Sequence, residues 1–420
     1  MIASAVALTL ASAATWVPMR WLSGDPASLE LLAGSPVNCL LVEREHWSPE
    51  FVRAARERRF AVLGVLHSGE GAGEAARLGL DALVLEGDFQ ARAEGIPVIR
   101  LASRRRLAAL AGEPVAGTWQ GVWPGLRVAE SPVAGPTAAP WLDTNSGLVK
   151  FAREIGGGIV WMGNRPPPGS IYPIARYLQA VADAALGGGH WIVALDADMN
   201  RRLLAGDARV MSEWRRICEL LRFFEDHADW RRMRPYGRLA VAQSFEDGGF
   251  VSGGVLDMIA VQHVPVRPAQ AKPSEGVRIL VDGKVAATAP EGWQFPMMGA
   301  EEFVLRKEDL PKLDPIWKAV REVVEGKNLG VRVFNAPSLL TSPLVSGDGS
   351  KLALLLVNYT GYPAEAITLH VAGKWNKAAL LTPNQPPKDL EIYPVRDGVG
   401  LEIERIGVAA AVELEAAERR

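Results

Sequence analysis

Three features of this 420-residue chain predict its fold class. Eight short apolar runs alternate with amphipathic segments through the first half. A β-α-β texture follows from about Tyr236, and strand-like runs broken by turn residues fill the end. Near-continuous apolar strands separated by helices are what a parallel sheet covered on both faces requires. Eight such units in about 220 residues match a closed barrel of ordinary size. The expectation is an α/β chain: a (β/α)8 TIM barrel over 15–235, a small α/β domain over 236–329 and an antiparallel β-sandwich over 330–420. A doubly wound open sheet satisfies the same pattern in the first part.

The opening MIASAVALTLASAATW has an apolar core and an A-S-A ending, the form of a secretory signal over 1–14, although no Lys or Arg precedes Arg20. A secreted or periplasmic location is expected from it. The predicted barrel strands are TWVPMRWL (15–22), VNCLLVE (37–43), FAVLGVLH (60–67), ALVLEG (82–87), IPVIRLA (96–102), GLRVAE (125–130), GIVWMGN (158–164) and HWIVALD (190–196). Crossover helices are expected at PEFVRAARERR, GEAARLGL, RRRLAALAG, SGLVKFAREI, IYPIARYLQAVADAALGG and EWRRICELLRFFEDHADW; the link DFQARAEG is short for a packed helix. Next come GRLAVAQS, SGGVLDMIAVQ and VPVRPA as one β-α-β unit, then GVRILVDGK and a helix over LPKLDPIWKAVREVVEG. The strands GVRVFN, KLALLLVNYT, AITLHVAG, KAALLTP, LEIYPV, GVGLEIE and VAAAVELE, punctuated by GDGS, GYP, PNQPP and RDG, make the sandwich.

Composition narrows the partners. A formal charge of -2 gives no broad field for nucleic acid or an anionic membrane, so a neutral ligand fits better. No apolar run after the leader is long enough to span a bilayer. Cys39 and Cys218 lie in apolar settings without zinc-site spacing, and six scattered His make no metal cluster. GEGAG (69–73) lacks the G-x-G-x-x-G and Walker spacings, and no G-x-S-x-G elbow is present. Neither metal nor cofactor is expected.

A (β/α)8 barrel carries its site at the carboxyl ends of the strands, so acids ending the apolar runs rank first. These are Glu43 and Glu45, Glu86 and Asp88, Glu130, Asp143 in the loop after strand six, and Asp196 with Asp198. Glu86, Asp143, Asp196 and Glu130 are the catalytic candidates. Glu86 leads because its apolar run would raise its pKa. Asp198 reads as a helix cap. Trp47, Trp123 and Trp141 are the candidate sugar platforms, since an indole offers a flat apolar face and one donor. Glu43, His67, Asn145 and Asn164 are further candidates for binding substrate. The long Gly, Pro and Trp-rich segment 119–147 has the character of a functional loop, with Asp143, Asn145 and Ser146 either binding hydroxyls or capping the next helix.

A barrel followed by RPYGRLAVAQSFEDGGFVSGGVLDMIAVQHVPVRP, then a sandwich containing LALLLVNYTGYP and ending VAAAVELE, resembles secreted bacterial glycoside-hydrolase-like proteins. The domain order is similar to that of family 42 β-galactosidases. The resemblance implies a general-acid Glu ending strand four, after an Asn, and a nucleophilic Glu ending strand seven. Glu86 stands at the first position, preceded by Leu85. Strand seven ends WMGNRPPPG without a carboxylate, so the second acid would come from Asp143, Glu130 or Asp196. The function expected is hydrolysis of an oligo- or polysaccharide by two carboxylates. The empty strand-seven position favours the alternative, a non-catalytic carbohydrate-binding or scaffold protein on a degenerate barrel.

Overall fold

A computed structural model describes residues 13–91, 94–126, 140–244, 253–272, 275–293 and 307–416. Residues 1–12 of the leader and Glu130 lie outside the described residues. The chain forms two compact units: 1–121, 155–181 and 189–225 make the first, and 122–154, 182–188 and 226–420 the second.

The first unit is an eight-stranded parallel barrel. Its strands are β1 (Pro18–Trp21), β2 (Cys39–Glu43), β3 (Ala61–Leu66), β4 (Ala82–Glu86), β5 (Val98–Ala102), β6 (Val115–Thr118), β7 (Ile159–Met162) and β8 (His190–Trp191), neighbours in that order. A bridge between Met19 and Val193 closes the sheet, with Arg20 N–H on Val193 C=O at 2.8 Å and Val193 N–H on Pro18 C=O at 3.0 Å. Sequential order and closure exclude the doubly wound alternative. The sixth strand is a correction: VAGT at 115–118 takes the place expected for GLRVAE, whose described part, Gly125–Leu126, pairs antiparallel with Leu142–Asp143 in the second unit. Gly and Thr broke the apolar signal of VAGT, yet all four residues are buried.

Alternation along each strand decides what fills the lumen. Cys39 and Leu41, Leu63 and Val65, Ala82 and Val84, Ile99 and Leu101, Val115, Trp161 and Ile192 form one buried cluster with Trp16. On β2 and β4 the same parity ends the strand on a carboxylate, Glu43 and Glu86. On the helix side, α1 (Pro49–Glu57) is capped by Ser48, whose Oγ accepts Phe51 N–H at 3.1 Å, and starts with a proline at its first position. After β3 comes α2 (Ala72–Leu78). A 3-10 turn, Arg104–Leu110, stands where RRRLAALAG suggested an α-helix. Further helices in chain order are α3 (Ser146–Gly156), most of which belongs to the second unit, α4 (Ile174–Leu186), whose last residues do, α5 (Ala197–Leu204) and α6 (Ala208–Asp226).

The second unit contains a four-stranded sheet in which Leu239–Gln243 runs parallel to Val266–Gln270, joined through the helix Gly254–Ala260. An antiparallel hairpin, Arg278–Val281 and Lys284–Thr288, completes that sheet. Two further antiparallel sheets share one apolar core built from Leu339, Leu352, Leu354 and Leu356 of one and Ile367, Leu369, Leu401 and Ile403 of the other. Leu339–Val345 is a strand that the sequence reading did not include.

Candidate active site

Five ionisable side chains converge at the carboxyl end of the barrel, and three of them, Glu43, His67 and Glu86, lie two residues beyond the interior core positions Leu41, Val65 and Val84. Arg20 comes from β1, Glu43 from the end of β2, His67 from just past β3, Glu86 from the end of β4 and Arg165 from the loop after β7. Arg20 Nη2 is ion-paired with Glu86 Oε2, and its Nη1 lies 3.7 Å from Glu43 Oε1. Arg165 Nη2 pairs with Glu43 Oε1 and stands 3.2 Å from Glu86 Oε1. His67 Nε2 is 3.0 Å from Glu43 Oε2 and 3.2 Å from Arg165 Nη2, while its Nδ1 is 3.9 Å from Glu86 Oε1. Nε2 can donate to Glu43 or accept from Arg165, but one protonation state cannot serve both.

The burial gradient sorts these groups. Arg20, Glu86 and Glu43 are 4%, 9% and 12% exposed, whereas Arg165 and His67 are 41% and 51% exposed. Two carboxylates and one guanidinium thus sit inside, and a second cation and an imidazole face solvent. Burial by itself would push the Glu86 pKa up, but the charges of Arg20 and Arg165 outweigh it and hold the carboxyl below its ordinary value. This overturns the raised pKa expected from the apolar run. The run faces the lumen, but the end of the run meets two guanidinium groups. Burial pulls the Arg20 pKa down, opposed by Glu86.

Oxygens that share one nitrogen donor lie within about 6 Å, twice a hydrogen-bond length. Glu43 and Glu86 share Arg165 Nη2 in this way. That upper bound is below the separation of about 6.5–9.5 Å used by inverting glycosidases. Trp119 follows the same inward parity on β6 and packs, half-buried, against the lumen cluster. Among the described residues no group of three or more His, Cys, Asp or Glu side chains is arranged to hold a metal ion.

Of the residues singled out from sequence, Glu43, His67 and Glu86 come together here. Asp196 does not join them. It is the N-cap of α5, with Oδ1 accepting Met199 N–H at 2.9 Å and Oδ2 accepting the Tyr177 hydroxyl at 2.7 Å and Tyr172 N–H at 3.2 Å. The capping role expected for Asp198 therefore belongs to Asp196, and Asp198 pairs with Arg201 and Arg202 one turn on. Asp88 accepts Ser103 N–H at 2.9 Å and Oγ–H at 2.7 Å, and Glu45 is exposed in a 3-10 turn.

Trp47 packs against the barrel wall. Its indole lies on the outer side of β3: a Cβ built on Gly64 would come within 2.5 Å of Trp47 Cζ2. Its N–H donates to Val42 C=O at 2.8 Å. Asn164 donates to Gly121 C=O at 2.7 Å, one residue before Arg165.

Asp143, Asn145, Trp123 and Trp141 belong to the second unit. Asp143 stands opposite Gly125 in the two-stranded ladder, Trp123 is half-buried and Trp141 is 5% exposed. The Asn145 carboxamide is engaged throughout, accepting Val122 N–H at 2.8 Å and donating to Val122 C=O and Asp183 Oδ2, each at 2.9 Å. It has no spare amide for a sugar hydroxyl. Asp183, fully buried, also accepts Asn145 N–H at 2.7 Å, the Tyr359 hydroxyl at 2.5 Å and the Thr144 hydroxyl.

Sequence reasoning passed over Arg20 and Arg165 because it sought acids for catalysis and Trp, His and Asn for binding. The signal was present: counting in twos from the apolar lumen positions reaches both arginines.

No protein-family model matches this chain, and no curated protein matches it in sequence. Solved structures do. The chain is similar to α-L-fucosidase isoenzyme 2 from Paenibacillus thiaminolyticus, at 9% identity and a TM-score of 0.62 over 96% of this chain and 100% of that one. Two weaker likenesses are α-galactosidase I from Mortierella vinacea, at 7% identity and TM-score 0.40 over 96% and 97%, and the apo exo-carrageenase GH42 from Bacteroides ovatus, at 9% identity and TM-score 0.34 over 94% and 57%. At those scores the two bear no weight in the argument. The first shows a shared TIM-barrel fold, and at 9% identity it shows the fold alone.

Proposed function

We propose that this chain is a glycoside hydrolase whose site is the barrel mouth formed by Glu43, Glu86, His67, Arg20, Arg165 and Trp119. The observation that carries this reading is the pairing of Glu43 with Glu86, two carboxylates from β2 and β4 within reach of one shared donor at the end where barrel enzymes act. Glu86, held ionised, suits the role that attacks or stabilises the developing oxocarbenium centre. Glu43, in contact with the more exposed His67, suits the role that passes a proton to the leaving oxygen and later takes one from water. Trp119 supplies an apolar face at the rim. The likeness to a protein named as an α-L-fucosidase supports a glycoside as the substrate.

One observation favours a second reading. Both carboxylates are engaged by guanidinium groups, Glu43 by Arg165 and Glu86 by Arg20 and Arg165, which leaves neither open to a leaving oxygen. A non-catalytic carbohydrate-binding barrel accounts for that arrangement.

A reducing-end assay and a binding screen against aryl glycosides and polysaccharides, run on the full chain with Glu43→Gln and Glu86→Gln, separate the two. Turnover that falls at least about a hundredfold in both variants while binding persists supports the hydrolase. Binding without turnover in any of the three proteins establishes the binding barrel. Absence of both removes carbohydrate from this site.

A further inference from the structure

We infer that Arg165 is an internal stand-in for a cationic substrate group, so that the mouth selects glycans carrying free, protonated amines over neutral or N-acylated ones. The inference rests on the mouth being a carbohydrate site, as proposed above. Its starting point is where Arg165 lies. A sugar attacked by one carboxylate and protonated by another must sit between them. In this structure two guanidinium groups reach both Glu43 and Glu86, and of these Arg20 is buried in the wall whereas Arg165 is exposed and comes from an exposed loop, NRPPPG, so that Arg165 is the one a ligand can displace.

Charge decides what can replace it. With Arg165 withdrawn, His67 neutral and Glu43 still ionised before it takes up its proton, Glu43, Glu86 and Arg20 sum to one negative charge in a largely buried site. A neutral sugar entering there would leave two carboxylates facing each other across a short gap, with a single guanidinium between them and the barrel wall. Like charges at such a distance repel strongly where water is scarce. A protonated amine restores the balance that Arg165 provides in the unliganded protein.

A second observation points to the same ligand. Arg20 is 4% exposed, and its Nε and Nη1 have no hydrogen-bond partner although Nη1 lies beside Glu43. A buried guanidinium with unused donors is costly unless a ligand or water completes it. A hydroxyl oxygen next to an amine, as in a 2-amino-2-deoxy sugar, would accept from Arg20 while the amine meets Glu43 and Glu86. His67 Nε2, freed of Arg165, would keep its contact with Glu43.

The test is calorimetric titration of the full-length protein and its Arg165→Ala variant with three tetrasaccharides: glucosamine, N-acetylglucosamine and glucose oligomers of the same linkage, at neutral pH and low salt. Arg165 is a loop residue with an exposed side chain, so its truncation leaves the barrel intact. The expected result is that the glucosamine oligomer binds about tenfold tighter than the other two, gains about another tenfold in Arg165→Ala, and loses this advantage in high salt. Equal affinity for the amine and N-acetyl oligomers in both proteins overturns the inference and leaves the carbohydrate reading standing. An amine preference that Arg165→Ala does not strengthen also overturns it. Failure of all three oligomers to bind either protein overturns both readings.

Discussion

Arg20 and Glu86 join opposite sides of the barrel mouth: β1 and β4 are not neighbours in the sheet, and their ion pair spans the lumen between them. Breaking this buried pair from the Arg20 side leaves Glu86 with only the more exposed Arg165 against it. Arg20→Met should cost about 3–5 kcal/mol, and the double variant Arg20→Met with Glu86→Gln should recover most of it. Urea denaturation of the single and double variants measures both.

The same pair fixes the acid limb of the stability profile. Glu86 has its folded pKa below the ordinary 4.5, so its contribution is full above that value and is lost as pH falls through the lower folded value. Glu86→Gln should flatten stability against pH below about 4.5, which acid titration followed by tryptophan fluorescence would read.

Asp196 is a structural acid. Its removal should cost about 0.5–2 kcal/mol through the lost cap of α5, with more from the stranded Tyr177 hydroxyl. Ligand binding at the mouth should be unchanged in Asp196→Ala. Binding lost at full fold would return Asp196 to the site.

Gly64 is the space that Trp47 fills. A methyl group there meets Trp47 Cζ2 at 2.5 Å and Leu80 Cδ1 at 2.6 Å, so Gly64→Ala should destabilise by about 1–3 kcal/mol. A shift in indole emission would accompany it, and Trp47→Phe in the same background should relieve part of the cost.

Much of the barrel could be read from its sequence because a doubly covered strand must be apolar throughout, as CLLVE and ALVLE are. VAGT escaped because Gly117 has no side chain to report burial, although a Cβ there would come within 2.2 Å of Leu101 Cδ2. At the site, Glu43, His67 and Glu86 were legible as strand-end polar residues. Asp196 has the same local signature, and only Tyr177 and the α5 amides around it show its role. The pKa of Glu86 was illegible because its cause lies in residues 66 positions before it and 79 after it, brought close by the closure of the barrel.

His263 offers a pH test in the second unit. Burial pushes its pKa from 6.5 down to about 4, opposed by a hydrogen bond with the Leu339 backbone. The unfolded chain therefore binds the extra proton first, and stability is lost as pH falls from about 6.5 to about 4. His263→Asn, which tolerates the left-handed backbone at φ 57°, should flatten that segment of the curve. An unchanged slope between those two values would show the imidazole to be solvated.

The barrel's closure is uneven. β8 is two residues long, and the contact from Val193 back to β1 is a single bridge, whereas β2 and β3 pair over five residues. Arg20 sits on that seam, donating its own amide across it. Fluctuations that part the barrel would begin there, so the amides of Arg20 and Val193 should exchange with deuterium before those of Leu63 and Val65. The guanidinium that keeps Glu86 ionised is mounted on the most easily unzipped join in the wall, and the charge state of the mouth is thereby tied to the breathing of the barrel itself.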